Sequence, residues 1–482
     1  MNWIHGLIKR YKTMSVQARA ALWYTFSNIV QKGISFFVVP IYVRLLTTAE
    51  YGRYGVFQSW KEILLIIATL NLYCGVFTKA MVDLKDDRDR YTSSMQGLSS
   101  LITTIILVIY GLNIKFWNEL FDLNGITMIL MFAFFYLYPA FQFWSVRQRV
   151  DYKYKRMVAL TLVSALAAPL AGILLLYTTS LREYAVIIGY LGSQIIIGAI
   201  FYVRNLLRGR TLFVKEYWIH ALKFNIPLIP HYLSLIVLGQ SDRIMIKSIC
   251  GEAKAGIYSL AYQVSMVMSI FVSAINNSYV PWAYEKLKNK DYPQLRHISN
   301  LLCLIVGLMT TGAILIAPEI IGVLGTKEYL EAIWVVPAVA GSAYFTFCYG
   351  LFSNVEFYYS STHYVMIASV IGAVLNIALN AIFIPIYGFV AAGYTTLACY
   401  FVFMIMHYFF MKRTCIENGI TTSVFDMRFL WISVIIIFAL IVVCLLIYPY
   451  NYIRFGVIAI GGIIAIVLRN KILDIIKMLR RK

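Results

Sequence analysis

FLWISVIIIFALIVVCLLIY, residues 429–448, contains no charged side chain. A helix of about 20 apolar residues matches the roughly 30 Å hydrocarbon core of a bilayer. No water is available there to satisfy peptide groups, so such a run is stable as a helix or within a closed barrel. The run is continuously apolar and lacks the alternation of a barrel strand, which leaves the helix. Outward from it, segments of the same kind recur from Ala20 to Leu468. They are placed at about 20–43, 52–77, 93–113, 125–145, 157–178, 184–203, 219–246, 256–281, 298–320, 332–354, 364–386, 388–410, 429–448 and 452–468. The division at Gly388 is the narrowest. With 61% hydrophobic residues, 13% charged and a mean hydropathy of +0.74, the 482-residue chain has more apolar surface than a soluble core can bury. It is an all-α polytopic membrane protein with about 14 spans.

Lys and Arg set the orientation. With the N-terminus placed inside, 30 of the 42 lie in inner segments and 9 in outer loops, while Lys32, Lys61 and Lys223 lie within spans. This positive-inside asymmetry puts both termini in the cytoplasm. It also accounts for the net charge of +20 without nucleic acid, because the cations are dispersed through loops that face anionic headgroups. Two terminal segments, 1–19 and 469–482, oppose apolar and basic residues from Trp3 to Tyr11 and from Lys471 to Arg481, and read either as interfacial helices or as frayed basic tails. The seven cysteines are scattered and form no Cys-x-x-Cys pair, which argues against a disulfide framework or metal site.

An internal repeat organises the spans. Ala49-Glu50-Tyr51-Gly52-Arg53-Tyr54 opens the second span and Ala253-Lys254-Ala255-Gly256-Ile257-Tyr258 opens the eighth, both at the outer face. Six spans separate the copies, so the halves are parallel in orientation, as in transporters whose site lies between two repeats. The expected division is a six-helix lobe at 20–203, a linker at 204–218, a second six-helix lobe at 219–411 and a final helix pair at 412–468.

Several stretches carry a family resemblance. Arg44-Leu45-Leu46 before Glu50-Tyr51-Gly52, Phe224-Asn225-Ile226-Pro227-Leu228-Ile229-Pro230, and Gln240-Ser241-Asp242-Arg243 before Ala255-Gly256-Ile257-Tyr258-Ser259-Leu260-Ala261-Tyr262 resemble the bacterial polysaccharide-export flippases. These Wzx-type O-unit flippases share a superfamily with the lipid II flippases and MATE exporters. The resemblance covers the whole chain, including the 6+6+2 helix plan. It implies a MATE-like fold in the cell inner membrane and a non-enzymatic function. That function is alternating-access transport of an undecaprenyl-diphosphate-linked oligosaccharide for O-antigen, capsule or another surface polysaccharide. A polysaccharide polymerase and a chain-length regulator are the expected protein partners, and no cofactor is expected beyond Na⁺ or H⁺ as coupling ion.

Charges at bilayer depth mark candidate transport residues, since each costs at least ~2.5–3.5 kcal/mol on insertion scales. Lys32, Lys61 and Glu62 fall at similar depth. One reading is a Lys32–Glu62 ion pair; the other is a hydrophilic chamber with a surplus cation for the cargo's diphosphate. Tyr24, Asn28, Gln31 and Ser35 line one face of the first span, with Gln58 on the second. Tyr262, Gln263, Ser269, Ser273 and Asn276 offer neutral hydrogen-bonding groups to sugar hydroxyls, or alternatively pack between helices. Glu62 and His231 are coupling-ion candidates. Arg44, Asp242 and Arg243 form either an outer gate or, for Asp242–Arg243, an interfacial ion pair that snorkels to water. Tyr24, Trp60 and Tyr262 are candidates for stacking on sugar rings. Two rivals stand beside the flippase: a membrane-embedded polymerase or ligase, disfavoured because no long outer loop exists, and a MATE-type exporter, which would favour an acidic cavity.

Overall fold

In the computed structural model, which describes residues 11, 13–460 and 463, every span read from the sequence is built mainly of helix over its described part. No strand occurs among the described residues. Helix starts fall where a small polar residue precedes an apolar run: Ser15 accepts from Ala18 N at 3.2 Å, Asn124 from Thr127 N at 2.8 Å and Asp426 from Phe429 N at 3.2 Å.

The first half comprises α1 (Val16–Leu45), α2 (Thr48–Thr69), α3 (Val76–Asp83), α4 (Arg88–Leu112), α5 (Ile114–Phe121), α6 (Gly125–Val150), α7 (Tyr154–Thr178), α8 (Glu183–Gly209) and α9 (Lys215–Asn225). A 3₁₀ turn, Ile226–Leu228, leads into α10 (Ile229–Cys250). Then follow α11 (Glu252–Lys288), α12 (Tyr292–Leu315), α13 (Ala317–Leu324), a 3₁₀ helix Lys327–Trp334, α14 (Val336–Tyr358), α15 (Thr362–Tyr387), α16 (Val390–Glu417), α17 (Met427–Ile447) and α18 (Asn451–Ile460). Eleven candidate spans are present among the described residues, and the 3₁₀ helix with α14, bent by 48°, makes a twelfth. The other two expected spans are α2, which carries Glu50, Arg53, Lys61 and Glu62, and α18, whose continuation lies outside the described residues. So do the C-terminal tail at 469–482 and, apart from Tyr11, the apolar–basic face expected from Trp3 to Tyr11.

Three boundaries differ from expectation or sharpen it. The second span ends at Thr69, where Leu70 and Asn71 take positive φ, and resumes as α3 after Gly75. The seam at Gly388 is real: with φ 73°, a conformation that favours glycine, it ends α15 and lets α16 begin two residues later. Of the expected linker at 204–218, residues 210–214 are non-helical, and the rest belongs to the end of α8 and the start of α9.

By contacts the chain divides into one unit of residues up to 46 with 56–236, and a second of 47–55 with 237–482. The first reaches past 218 because α9 docks on it. Trp218 Nε1 donates to Ser94 O at 2.9 Å, Asn225 Nδ2 to Leu70 O at 3.0 Å, and Ala221 packs among Phe77, Met81 and Tyr91. In the same unit α7 and α8 cross where a Cβ on Gly189 would strike the backbone of Gly172, the close approach that small residues permit between helices in lipid.

In the second unit, Tyr279, Tyr344 and Tyr448 send their hydroxyls to Ser299, Ser433 and the Ile314 carbonyl at 2.7, 2.6 and 2.8 Å. Each unit exposes large apolar side chains, Phe37 of the first at 74% and Ile435 of the second at 67%. That surface suits acyl chains, not water.

Candidate functional site

Within the second unit, α10, α11, α14 and α16 surround a cavity of about 480 Å³, a volume typical of ligand sites. The face of α11 bearing Tyr262, Met266, Ser269, Ser273 and Asn276, at alternating spacings of four and three, lines one side, with Gln263 and Ser265 beside it. Gln240 and Arg243 come from α10, Ser342 and Thr346 from α14, Thr396 and Tyr400 from α16. The sequence candidates Arg243, Tyr262, Gln263 and Asn276 thus meet at one place. Among the described residues, no carboxylate lines the cavity. Its cation is Arg243, 9% exposed, whose Nη1 donates to Gln240 Oε1 at 2.8 Å and to Gly239 O at 3.3 Å, while the guanidinium lies 4.5 Å from the centre of the Tyr262 ring.

Behind this wall Asp242 is 1% exposed. Its Oδ2 accepts from Tyr258 OH at 2.5 Å and from Thr396 Oγ1 at 2.8 Å, and its Oδ1 accepts from Asn380 Nδ2 at 2.7 Å. A second ring of bonds supports these. Ser241 Oγ donates to Asn376 Oδ1 at 2.9 Å, Asn376 Nδ2 to Thr396 Oγ1 at 3.1 Å, and Thr395 to Asn380 Oδ1. This corrects the snorkelling Asp242–Arg243 pair: α15 and α16 cover the carboxylate and supply neutral donors, so Asp242 lies deep in the unit and not at a wet interface. The groups turned toward Asp242 are two hydroxyls and an amide N–H, all donors, which satisfy the buried carboxylate as an anion. Thr396 belongs to both the carboxylate cluster and the cavity wall.

The first unit places its own candidates. Lys61 is 2% exposed; its Nζ lies 2.9 Å from Tyr190 OH, 3.0 Å from Glu62 Oε1 and 4.3 Å from the centre of the Tyr190 ring. Glu62 therefore pairs with its chain neighbour and not with Lys32, because Lys61 folds back beside Tyr190 of α8 within reach of the carboxylate. Lys32 is half-buried on α1, and Asn28 on the same helix is exposed. Gln31 Nε2 donates to Ser27 Oγ at 2.9 Å, and Ser27 meets Thr161 at 3.1 Å. Tyr24 OH donates to Gln148 O at 3.3 Å. Gln58 is half-buried on α2, and His231 is half-buried at the start of α10 beside the Tyr232 ring, 5.8 Å away.

Trp60 lines an apolar pocket of about 350 Å³ with Ile63, Ile67, Trp117 and Phe121. It meets Phe121 edge-on at 4.9 Å, so its position is greasy where a sugar-stacking ring would need polar neighbours. Arg44 is exposed and donates from Nη1 to Pro40 O at 3.0 Å, which closes the end of its own helix.

Sequence reading missed Tyr258, Asn376, Asn380, Thr395 and Thr396 as partners of Asp242. The available signal was two asparagines four residues apart in an otherwise apolar span, since amides at that depth need partners. It also missed Glu356 and His407, an acid and an imidazole on two spans with nothing in the sequence to join them.

The comparisons with known proteins concern most of the chain. The family described as "Polysaccharide biosynthesis protein" matches residues 18–285, more than half of it. Protein 1 of the Lsg locus of Haemophilus influenzae is 23% identical over 368 residues, 74% of this chain and 88% of that protein. Among solved structures, the lipid II flippase MurJ in an inward closed conformation superposes with a TM-score of 0.70 at 15% identity, covering 94% of this chain and 99% of its own. An inward-facing multidrug resistance MATE transporter of the MOP superfamily gives 0.61 at 12%, covering 82% and 96%.

Proposed function

The chain belongs to the family of polysaccharide biosynthesis proteins, and on that premise we propose that it is a flippase for undecaprenyl-diphosphate-linked oligosaccharides. It would act by alternating access in the cell inner membrane, with both termini cytoplasmic, to supply a surface polysaccharide such as O-antigen or capsule. The observation that carries this reading is the cavity of the second unit. Hydroxyls and amides from Gln263, Ser269, Ser273 and Asn276, two tyrosine rings and one arginine line it without a carboxylate. Neutral donors and acceptors pair with sugar hydroxyls, aromatic faces take the apolar faces of pyranose rings, and a buried guanidinium favours an anionic group on the cargo. An exporter of cationic compounds would be served better by acidic lining.

In this reading Arg243, Tyr262, Gln263 and Asn276 hold the glycan, and Lys32, with Asn28, Gln31 and Gln58, serves the diphosphate. Lys61 supports that cationic surface from a buried position, in balance with Glu62. Asp242, more than Glu62 or His231, suits the coupling ion, Na⁺ or H⁺, because Lys61 already neutralises Glu62. Asp242 would take up the ion, whose charge offsets that of the buried carboxylate, and the donors now turned to it from Tyr258, Asn380 and Thr396 would rearrange on loading. A polymerase and a chain-length regulator would take up the delivered unit.

The test is reconstitution into liposomes carrying a lipid-linked oligosaccharide, with a membrane-impermeant glycosidase added outside. Protein-dependent loss of the protected inner pool is expected, abolished by Arg243→Ala. Equal protection with and without the protein would sink the proposal.

A further inference from the structure

A carboxylate and an imidazole that the cavity and the Asp242 cluster do not use sit between α14 and α16. The side chains of Glu356 and His407 are both 0% exposed. His407 Nδ1 lies 2.9 Å from Oε1 and 3.0 Å from Oε2, so one nitrogen spans both carboxylate oxygens. His407 Nε2 is buried without a hydrogen-bond partner. Tyr349 stacks on the imidazole at 5.3 Å and Phe403 meets it edge-on at 4.6 Å.

A pair that only joined two helices could be replaced by apolar side chains, which avoid the desolvation of two polar groups. Ionisable groups inside a membrane protein are costly and mark places where ions or protons are handled. The unpartnered Nε2 strengthens this, because a purely structural imidazole would normally engage both nitrogens. We propose that Glu356 and His407 form a proton-binding site, separate from the Asp242 cluster, whose loading is linked to the parting of α14 from α16 at their Tyr358 and Glu417 ends.

The charge balance is simple. Closed, the pair holds one proton between Nδ1 and the carboxylate and is neutral overall. A second proton, taken from water, leaves imidazolium beside a carboxylic acid, a net charge of +1, and the attraction between the helices loses its ionic part. The face of Tyr349 stabilises the imidazolium. Because the closed pair excludes water, the second proton enters as the helices part, and by linkage the loaded state favours parting.

Among the described residues, His363 acts on the pair, while the other charged groups near it engage one another. From α15, His363 is the titratable side chain that acts on Glu356. On α16, Arg413 and Glu417 bond each other at 3.0 Å. Lys286 of α11 goes to Asp291 at 3.1 Å and Arg296 of α12 to the Ser423 carbonyl at 2.9 Å. Among the described residues, the ion-pair partner of Glu356 is His407.

The experiment measures the distance between spin labels at Tyr359→Cys and Asn418→Cys, with the seven native cysteines replaced, in nanodiscs without cargo. Spectra are compared at about pH 5 and about pH 8. A longer-distance population is expected at the lower pH. Glu356→Gln and His407→Gln should each abolish the shift, and the exchange Glu356→His with His407→Glu should restore it. A distribution that ignores pH in the label-bearing parent, or a shift that survives both single variants, overturns the proposal. If the single variants do not fold, ¹⁵N spectra of His407 in the unsubstituted protein decide. Titration in step with the distance change supports the site, and a constant spectrum rejects it. Neither readout involves cargo, so the flippase reading stands or falls separately.

Discussion

Asp242 concentrates the physical questions at the scale of single residues. A buried carboxylate with neutral donors is stabilised chiefly by hydrogen bonds, with the charge of the neighbouring Arg243 added, and bonds to a charged acceptor each contribute about 1.5–3 kcal/mol. Tyr258→Phe removes the 2.5 Å bond at little cost in shape. It should lower unfolding stability by about that amount, while Tyr262→Phe, whose ring faces Arg243 in the cavity, should change it by less than about 0.5 kcal/mol. Denaturant or thermal unfolding of the purified protein separates the two. Asp242→Asn should leave a folded protein that no longer gains thermal stability when Na⁺ replaces choline, a gain expected of the unsubstituted protein because a ligand of the native state raises its melting point. An identical gain in the variant would move the cation elsewhere. Lys61→Ala strands Glu62. The cost should be about 1–3 kcal/mol, below the ~3–5 kcal/mol of fully buried pairs, since Glu62 is 38% exposed.

At the scale of elements, the internal repeat acquires a structural reason. Its two glycines face each other in the second unit, whose residues 47–55 open α2. A Cβ on Gly52 would land on the Glu252 carbonyl, 2.9 Å from Gly256 N, and one on Gly256 would strike the Thr48 carbonyl. Arg53 pairs with Glu252 across the same crossing. The motif recurs because both helices need a side-chain-free turn at one mutual contact. Gly52→Val and Gly256→Val should therefore each cost at least the ~1–3 kcal/mol of overpacking. Gly239→Ala in α10, where a Cβ meets nothing within 4 Å, should instead be neutral or stabilising by up to ~1 kcal/mol. Melting temperatures in nanodiscs measure all three.

For the whole molecule, outward-facing apolar side chains and the asymmetry of Lys and Arg make a claim about orientation. In a cysteine-free background, a membrane-impermeant maleimide should label Ser180→Cys in intact cells, and Asn289→Cys only in inverted membranes. The opposite pattern would invert the topology and with it the direction of the proposed transport. The superposition on MurJ and MATE structures at 15% and 12% identity reflects the same constraint. In lipid, a helix plan persists as long as length, apolarity and a few small-residue crossings are kept.

Much of the fold was legible because a bilayer imposes a one-dimensional rule: twenty apolar residues must be helical, and the cations between them choose the side. The face of α11 was legible for a similar reason, since residues three and four apart share one side of a helix, and Tyr262, Ser269, Ser273 and Asn276 do line one cavity. The repeat could be seen in sequence but not explained, because two glycines 204 positions apart reveal nothing of their mutual contact. Pairing depends on which helix faces which. Glu62 finding Lys61 and not Lys32, Asp242 drawing donors from α15 and α16, and Glu356 meeting His407 were all settled by helix rotation and packing, which composition and spacing leave free.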